Sequence, residues 1–281
     1  ATEVFAVLPA VETVTRIMKP YKLVSREFKS EDSVITVKGV PIGGKRVIVM
    51  AGPCAVETKE QLFEAAQAVK SAGASVLRGG AFKPRTSPFS FQGLGQEGLE
   101  LLASARREFN MPVVTEVVDP HDVSVVARYA DILQVGSRNM QNFALLSAIG
   151  KCECPVVLKR GFACTVTEWL TAADYLLAGG NNQVILCERG IRTFEDTTRF
   201  SLDISSIPVI KRFSHLPVIV DPSHAAGHHA IVPALAKAAV AAGADGLLIE
   251  VHPNPKEALI DGLQALTPTD FSKLMDELRQ I

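Results

Sequence analysis

The strongest constraint on the fold is a repeating pattern of hydrophobicity that begins near residue 47. Short apolar runs alternate with longer segments of helical spacing, such as Lys59 to Ala72, Glu97 to Phe109 and Val232 to Ala242. Eight runs occur: VIVMAGPC from Val47, SVLRGGAF from Ser75, PVVTEVV from Pro112, DILQVGS from Asp131, PVVLKRG from Pro155, QVILCERG from Gln183, PVIVDPSH from Pro217 and GLLIEVHP from Gly246. Eight strands that alternate with helices are typical of a closed parallel sheet, so the sequence predicts an α/β protein with a (β/α)8 TIM barrel.

The remaining segments predict one extension and two long loops. We expect residues 1–30 to form an N-terminal extension and residues 31–281 to form the barrel. In SVITVKGVPIGGKRVIV, which starts at Ser33, two alternating runs flank PIGG and predict a β-hairpin that plugs the bottom of the barrel. The connections Lys83 to Gly95 and Arg189 to Leu216 are unusually long, and long loops are often functional.

Composition excludes several classes of protein. No run approaches the roughly 18 uninterrupted apolar residues of a membrane span, and the N-terminus shows no secretory signal. The five cysteines are odd in number and scattered, so we expect free thiols. A net charge of −1 indicates neither a nucleic-acid nor a membrane partner. These features predict a cytoplasmic protein.

Charged or metal-binding side chains follow all eight predicted strands. In chain order they are Cys54, Arg78 with Lys83, Glu116, Arg138, Lys159 with Arg160, Arg189, His224, and Glu250 with Asp261 a little beyond it. Any one of them alone is more often a small buried side chain or a solvated charge. Independent charges would scatter over both ends of a barrel, whereas active sites of this fold lie at the carboxyl ends of the strands. The pattern therefore predicts a catalytic barrel.

Four of these residues suit one divalent cation: Cys54, His224, Glu250 and Asp261. Sulfur, nitrogen and oxygen ligands together are typical of Zn, Fe, Mn, Co or a similar metal. The four residues follow the first, seventh and eighth strands, which are neighbours in a closed barrel. We expect one catalytic metal ion that acts as a Lewis acid.

The other strand-end residues form a cationic cluster. It contains Arg78, Lys83, Arg138, Lys159 and Arg189, with Arg85 and Arg192 nearby. Arginine binds phosphate and carboxylate in a bidentate manner, and lysine acts as a point charge or a proton donor. The cluster predicts two phosphorylated substrates, one of which also carries a carboxylate.

Seven motifs in these segments resemble 3-deoxy-D-arabino-heptulosonate 7-phosphate (DAHP) synthase of the type I beta-like subgroup. They are AGPC from Ala51, LRGGAFKPRTSP from Leu77, QVGSRNMQN from Gln134, VLKRG from Val157, CERG from Cys187, DPSH from Asp221, and IEVHP from Ile249 followed by Asp261. The resemblance covers the chain from about Lys19 to the end. It implies condensation of phosphoenolpyruvate with D-erythrose 4-phosphate, the first step of the shikimate pathway.

The resemblance also implies roles for individual residues, with the same four metal ligands. Arg78, Lys83, Glu116, Arg138, Lys159 and Arg189 would surround phosphoenolpyruvate, and Arg85, Thr86, Ser137 and Arg192 would face the aldose phosphate. We expect Lys83 to protonate the aldehyde oxygen and Glu116 to assist the attack of water. We also expect a homo-oligomer, either a dimer or a tetramer.

Three alternatives stay open. A 3-deoxy-octulosonate 8-phosphate synthase uses five-carbon arabinose 5-phosphate, but its loop typically carries Ala-Asn where this chain has Pro84 and Arg85. A Schiff-base aldolase would use a lysine such as Lys159 and would not need the metal set. A noncatalytic phosphosugar-binding barrel would be expected to lack some of the ligands, and all of them are present.

The N-terminal segment departs from the family pattern. Such enzymes often carry a ferredoxin-like regulatory domain or a chorismate mutase ahead of KPYKLVSREF. Here ATEVFAVLPAVETVTRIM precedes it, which resembles the tail of such a domain and is too short for its own core. Either the chain was truncated or processed, or regulation was never present; we favour truncation and expect weak or absent feedback inhibition. Inhibition by tyrosine, phenylalanine or prephenate would contradict that expectation.

Overall fold

A closed barrel dominates the fold, which is taken from a computed structural model that describes residues 8–12, 14, 18–83, 87 and 89–281. An antiparallel hairpin, β1 (Ile35–Val37) and β2 (Val40–Ile42), precedes eight parallel strands. These are β3 (Ile48–Gly52), β4 (Val76–Arg78), β5 (Val113–Glu116), β6 (Ile132–Val135), β7 (Val156–Lys159), β8 (Val184–Glu188), β9 (Val218–Val220) and β10 (Gly246–Glu250). The barrel closes where β10 pairs with β3, so the predicted fold is confirmed.

Helices connect the strands and cover the outside of the barrel. The α-helices are α1 (Lys59–Ala72), α2 (Gln96–Phe109), α3 (Val123–Tyr129), α4 (Phe143–Gly150), α5 (Val166–Ala178), α6 (Ser206–Phe213), α7 (Pro222–Ala226), α8 (Val232–Ala241) and α9 (Pro268–Leu278). Short 3-10 helices span Pro120–Asp122, Ser137–Asn139, His229–Ile231 and Gly262–Gln264. In the described part of the chain, no helix has the length and apolar character that crossing a membrane requires.

The hairpin lies where the sequence predicts a plug, but its turn is at a different place. Lys38 and Gly39 form the turn, with φ values of 48° and 84°, a left-handed pair typical of a two-residue hairpin. The predicted turn at PIGG was wrong because Pro41 and Ile42 belong to β2 and KRVIV leads into the first barrel strand. Ile35, Val37 and Ile42 pack in one cluster with residues of the barrel interior, such as Met50 and Val157. The hairpin therefore closes the end of the barrel opposite the carboxyl ends of the strands.

The connection from Arg189 to Leu216 is not a continuous loop. It contains α6, and the Asp203 carboxylate accepts a hydrogen bond at 3.2 Å from the backbone N–H of Ser206, the first residue of that helix. A further helix, α7, starts directly after β9, with Asp221 as its N-cap and Pro222 in its first turn. Both helices are short, which is why apolar periodicity did not reveal them.

A buried histidine ties the N-terminal segment to the end of α6. His215 is 4% exposed, and its Nε2 lies 2.8 Å from the Leu23 carbonyl oxygen. Its Nδ1 lies 2.8 Å from the Ser33 hydroxyl oxygen, and that oxygen accepts a hydrogen bond from the Lys29 ammonium at 2.8 Å. Since a carbonyl can only accept, Nε2 carries the proton and Nδ1 accepts from Ser33, so the ring is bound in its neutral form.

We expect this histidine to make the fold less stable in mild acid. Burial lowers the pKa of His215, and the nearby Lys29 and Arg26 cations lower it further. As the pH falls, His215 is therefore protonated in the unfolded chain before it is protonated in the folded one. Its contribution to the free energy of unfolding is fully present above about pH 6.5 and is lost as the pH drops toward the folded pKa. Between pH 7.5 and 5.5 the melting temperature of the wild type should fall more steeply than that of His215→Gln. Parallel slopes would contradict this assignment.

Candidate active site

A cavity of about 290 Å³ opens at the carboxyl ends of the barrel strands. Most of the predicted site residues line it: Cys54, Arg78, Lys83, Glu116, Ser137, Arg138, Lys159, Arg189, His224 and Asp261. Glu250, 1% exposed, contacts both Arg78 and His224. Arg192 is exposed and lies beside the cavity, with its guanidinium carbon 5.9 Å from the Phe162 ring. Arg85 and Thr86 fall outside the described residues.

The four predicted metal ligands meet on one side of this cavity. One donor atom from each of Cys54, His224, Glu250 and Asp261 lies within 4.8 Å of the others. The His224 Nε2 is 3.2 Å from Glu250 Oε1 and 3.8 Å from Asp261 Oδ2, and the Cys54 Sγ is 3.6 Å from Asp261 Oδ2. Burial raises the pKa of the Cys54 thiol to about 12. The donor set and its spacing fit one divalent ion.

Asp221 orients the histidine of this cluster, and sequence reasoning did not select it. Its Oδ2 lies 2.7 Å from His224 Nδ1 and 2.6 Å from the Lys159 ammonium. Its Oδ1 accepts a hydrogen bond from the backbone N–H of His224 at 2.9 Å. The carboxylate therefore holds the proton on Nδ1 and leaves the Nε2 lone pair facing the cluster. Burial opposes its charge, but His224 and Lys159 lower the pKa of Asp221 well below its usual value. The signal available in the sequence was its N-cap position before Pro222.

The two carboxylates of the cluster share a second layer of partners. The Arg199 guanidinium lies 3.1 Å from Asp261 Oδ2 and donates to Gln264 Oε1 at 2.7 Å. Because that contact fixes the orientation of the amide, the Gln264 NH₂ donates to Glu250 Oε2 at 2.7 Å. Burial raises the pKa of Glu250, but His224 and Arg78 outweigh burial and lower it to about 2. Arg199 and Gln264 were not selected from the sequence, since neither stands at a strand end.

On its cationic side, the cavity has polar groups that no described residue satisfies. Arg189 is 4% exposed, yet its Nη1 has no hydrogen-bond partner among the described residues, and the same holds for Ser137 Oγ and Arg78 Nε. Burial lowers the pKa of Arg189 to about 10. Unsatisfied buried donors are costly, so their presence in the cavity fits an anionic ligand that would accept from them.

The position of the Glu116 carboxylate depends on the absence of a side chain at Gly136. A Cβ atom on Gly136 would lie 2.1 Å from Glu116 Oε1, although the glycine φ of −69° suits any residue. We expect Gly136→Ala to displace the carboxylate and to lower kcat by about 10²-fold, as for a misplaced acid–base group, with an unchanged melting temperature. Gly44→Ala is the control because a Cβ there would meet nothing closer than 3.8 Å. Wild-type turnover in Gly136→Ala would argue against a role for Glu116.

Arg160 directly follows Lys159, the last residue of β7, but is not among the residues that line the cavity. Its Nη1 lies 2.9 Å from Glu188 Oε2 and 2.8 Å from Asp203 Oδ2. The other Glu188 oxygen accepts from the Gly190 N–H at 2.7 Å. Arg160 thus supports the loop that carries Arg189.

Relatives of this chain share both its sequence and its fold. Residues 29–281 match the DAHP synthetase I family. A phospho-2-dehydro-3-deoxyheptonate aldolase of Thermotoga maritima is 52% identical over 277 residues, which are 99% of this chain and 82% of the relative. A 2-dehydro-3-deoxyphosphooctonate aldolase of Acidithiobacillus ferrooxidans is 35% identical over 235 residues, 77% of this chain and 83% of the relative.

Solved structures agree with these matches. The crystal structure of the Thermotoga maritima DAHP synthase has a TM-score of 0.91 at 52% identity and covers 100% of this chain and 82% of its own. A truncated form of 3-deoxy-D-arabino-heptulosonate 7-phosphate synthase from the same organism has a TM-score of 0.87 at 48% identity, with 93% and 96% covered. By sequence, fold and extent of match, the chain belongs to the DAHP synthetase I family.

Proposed function

We propose that this chain condenses phosphoenolpyruvate with D-erythrose 4-phosphate and water to give 3-deoxy-D-arabino-heptulosonate 7-phosphate and phosphate. This reaction is the first step of the shikimate pathway, and the enzyme is a carbon–carbon bond-forming transferase. The observation that carries the proposal is one cavity that joins a metal-type cluster to buried, unsatisfied cationic donors, in a chain of this family.

The metal site is proposed to consist of Cys54, His224, Glu250 and Asp261, holding one divalent ion such as Mn, Fe, Zn or Co. The mixed donor set and the His224 orientation by Asp221 support it. A bound ion of this kind supplies Lewis-acid polarisation of the aldehyde oxygen.

The substrate phosphates are proposed to bind to the cationic side chains of the same cavity. Arg78, Lys83, Arg138, Lys159 and Arg189 would surround phosphoenolpyruvate, while Arg85, Thr86, Ser137 and Arg192 would hold the aldose phosphate. In support of anion binding, the first five side chains and Ser137 all line the cavity, and Arg78, Ser137 and Arg189 have polar atoms without described partners. Holding both anions converts a bimolecular encounter into reaction between aligned groups.

Two residues are proposed to move protons. C3 of phosphoenolpyruvate forms a bond to the aldehyde carbon, and Lys83 gives a proton to the aldehyde oxygen. Glu116 takes a proton from the water that adds to C2, and the resulting hemiketal phosphate loses phosphate by C–O cleavage. Both side chains line the cavity and are buried, at 8% and 7% exposure, which shields the transfers from bulk water.

The alternatives have less support. A Schiff-base lysine must be a neutral amine when it attacks, but Lys159 is in a buried ion pair with Asp221. The five-carbon synthase relative is 35% identical, against 52% for the heptulosonate relative. The homo-oligomer, the cytoplasmic location, the extension at residues 1–30 and the catalytic unit at residues 31–281 stay predictions.

The deciding experiment measures phosphate release from phosphoenolpyruvate with erythrose 4-phosphate and with arabinose 5-phosphate, before and after chelation. We expect release with the four-carbon aldose, little with the five-carbon aldose, and loss after chelation that added metal restores. Preference for arabinose 5-phosphate would reverse the substrate assignment. Activity that survives complete metal removal would exclude a catalytic metal.

A further inference from the structure

One phenyl ring in the cavity lies against three arginines. Phe162 lines the cavity wall, and its ring centroid is 4.9 Å from the guanidinium carbon of Arg189, 5.3 Å from that of Arg138 and 5.9 Å from that of Arg192. All three distances are within the range of a cation–π attraction, to which the electron-rich face of the ring contributes. Gathering three cations around one ring is not explained by the packing of a core.

A second ring strengthens the arrangement on one side. Phe200 stacks on Phe162 with centroids 4.9 Å apart and planes 8° from parallel, and its centroid is 4.3 Å from the Arg189 guanidinium carbon. Gly190 permits this contact, because a Cβ atom there would lie 2.7 Å from the Cβ of Phe200. The carbonyl of Phe162 also accepts from the Arg192 N–H at 2.6 Å. Arg189 is thus held by both rings, whereas of these two rings Arg138 and Arg192 contact Phe162 alone.

The same three arginines have no ion pair with any described carboxylate. Six others do have one within the described residues: Arg26, Arg78, Arg106, Arg160, Arg199 and Arg279. A carboxylate partner would orient a guanidinium but would also cancel its charge and compete with a phosphate for its N–H groups. A ring attracts the face of the guanidinium, adds no negative charge and leaves the in-plane donors available.

We propose that Phe162 is a positioning residue of the substrate site, one that holds Arg138, Arg189 and Arg192 in place while their full charge stays available to the two substrate anions. The inference rests on the proposed function, in which Arg138 and Arg189 bind phosphoenolpyruvate and Arg192 binds the aldose phosphate. It assigns Phe200 a narrower role, limited to Arg189.

The test compares Phe162→Leu, Phe162→Tyr and Phe200→Leu in the metal-loaded enzyme. In Phe162→Leu we expect the KM for each substrate to rise by about tenfold, equivalent to about 1.4 kcal/mol, with kcat within about threefold of wild type because the reacting groups are untouched. Phe162→Tyr keeps the ring face and should stay within about twofold of wild type. Phe200→Leu should raise the KM for phosphoenolpyruvate and leave that for erythrose 4-phosphate unchanged.

Calorimetric titration of phosphoenolpyruvate and the melting temperature of each variant complete the test. Unchanged KM values in Phe162→Leu, or equal damage in the Tyr and Leu variants, would overturn the proposal. If Phe162→Leu lowers the melting temperature, the kinetic test uses Phe162→Met instead, since methionine fills the volume of the phenylalanine side chain without providing a ring. A wild type that does not turn over these substrates would refute the proposed function, whereas the titration still decides the role of Phe162.

Discussion

Cys54→Ala is expected to lower kcat by at least about 10³-fold, the scale of several kcal/mol of Lewis-acid stabilisation. The Cys54 thiol is the only sulfur donor in the described cluster, and its Sγ lies 3.6 Å from Asp261 Oδ2. Removing it leaves one nitrogen and two carboxylate donors, a set that binds soft divalent ions less well. Phosphate release and metal content, measured on the same sample, check the prediction.

Cys164→Ala is the matched control for this substitution. Cys164 is a free, half-buried thiol in the loop after β7 and does not belong to the metal-type cluster. We expect it to keep wild-type turnover and metal content, so that a general effect of losing a thiol is excluded. Full activity and full metal content in Cys54→Ala would show that Cys54 is not a ligand.

Arg189→Met is expected to lower kcat/KM for phosphoenolpyruvate by about 10²- to 10³-fold, as when one partner of a buried charged contact is truncated. The thermal stability of this variant, in contrast to its activity, should not fall. The guanidinium has no ion pair with a described carboxylate, and burial lowers the pKa of Arg189 to about 10, so its charge costs the empty protein free energy. The melting temperature should therefore stay the same or rise.

Arg160→Met provides the contrast, since Arg160 is buried at the neighbouring strand end and paired with Glu188 and Asp203. Burial raises the pKa of Glu188, and Arg160 partly offsets this shift. Removing Arg160 leaves an uncompensated buried carboxylate, which destabilises a fold by about 3–5 kcal/mol. Steady-state kinetics and thermal unfolding of both variants separate the two roles. A large loss of stability in Arg189→Met would mean that Arg189 is structural instead.

Residue pattern predicted the barrel because each apolar run had to be buried on both faces, and only a strand between helices meets that need. The same rule placed ten predicted residues around the cavity, since carboxyl ends of parallel strands share one face. The predicted boundaries of the strands and turns were less accurate. The hairpin turn at Lys38 and Gly39 depends on backbone dihedrals, which hydrophobicity does not encode.

The sequence pattern did not reveal the residues that act on the site through another side chain. Asp221 contacts His224, Arg199 contacts Asp261 and Gln264 contacts Glu250, and the pairing of Arg199 with Asp261 joins residues 62 positions apart in sequence. Phe162 follows a strand as the charged residues do, but an aromatic side chain there has the appearance of ordinary packing. Its role became visible only when the distances to three guanidinium groups were known.

The pairing of β3 with β10 joins the first barrel strand to the last, and the proposed ligands stand on both sides of that junction. Cys54 and Asp261, 207 residues apart in sequence, approach each other only after the ring of strands is complete. The fourth proposed ligand, Cys54, joins the other three only when this junction is closed, so an ion bound by all four favours the closed barrel. At a free concentration of 100 times Kd, an ion without affinity for the opened barrel would oppose opening of that junction by about 2.7 kcal/mol.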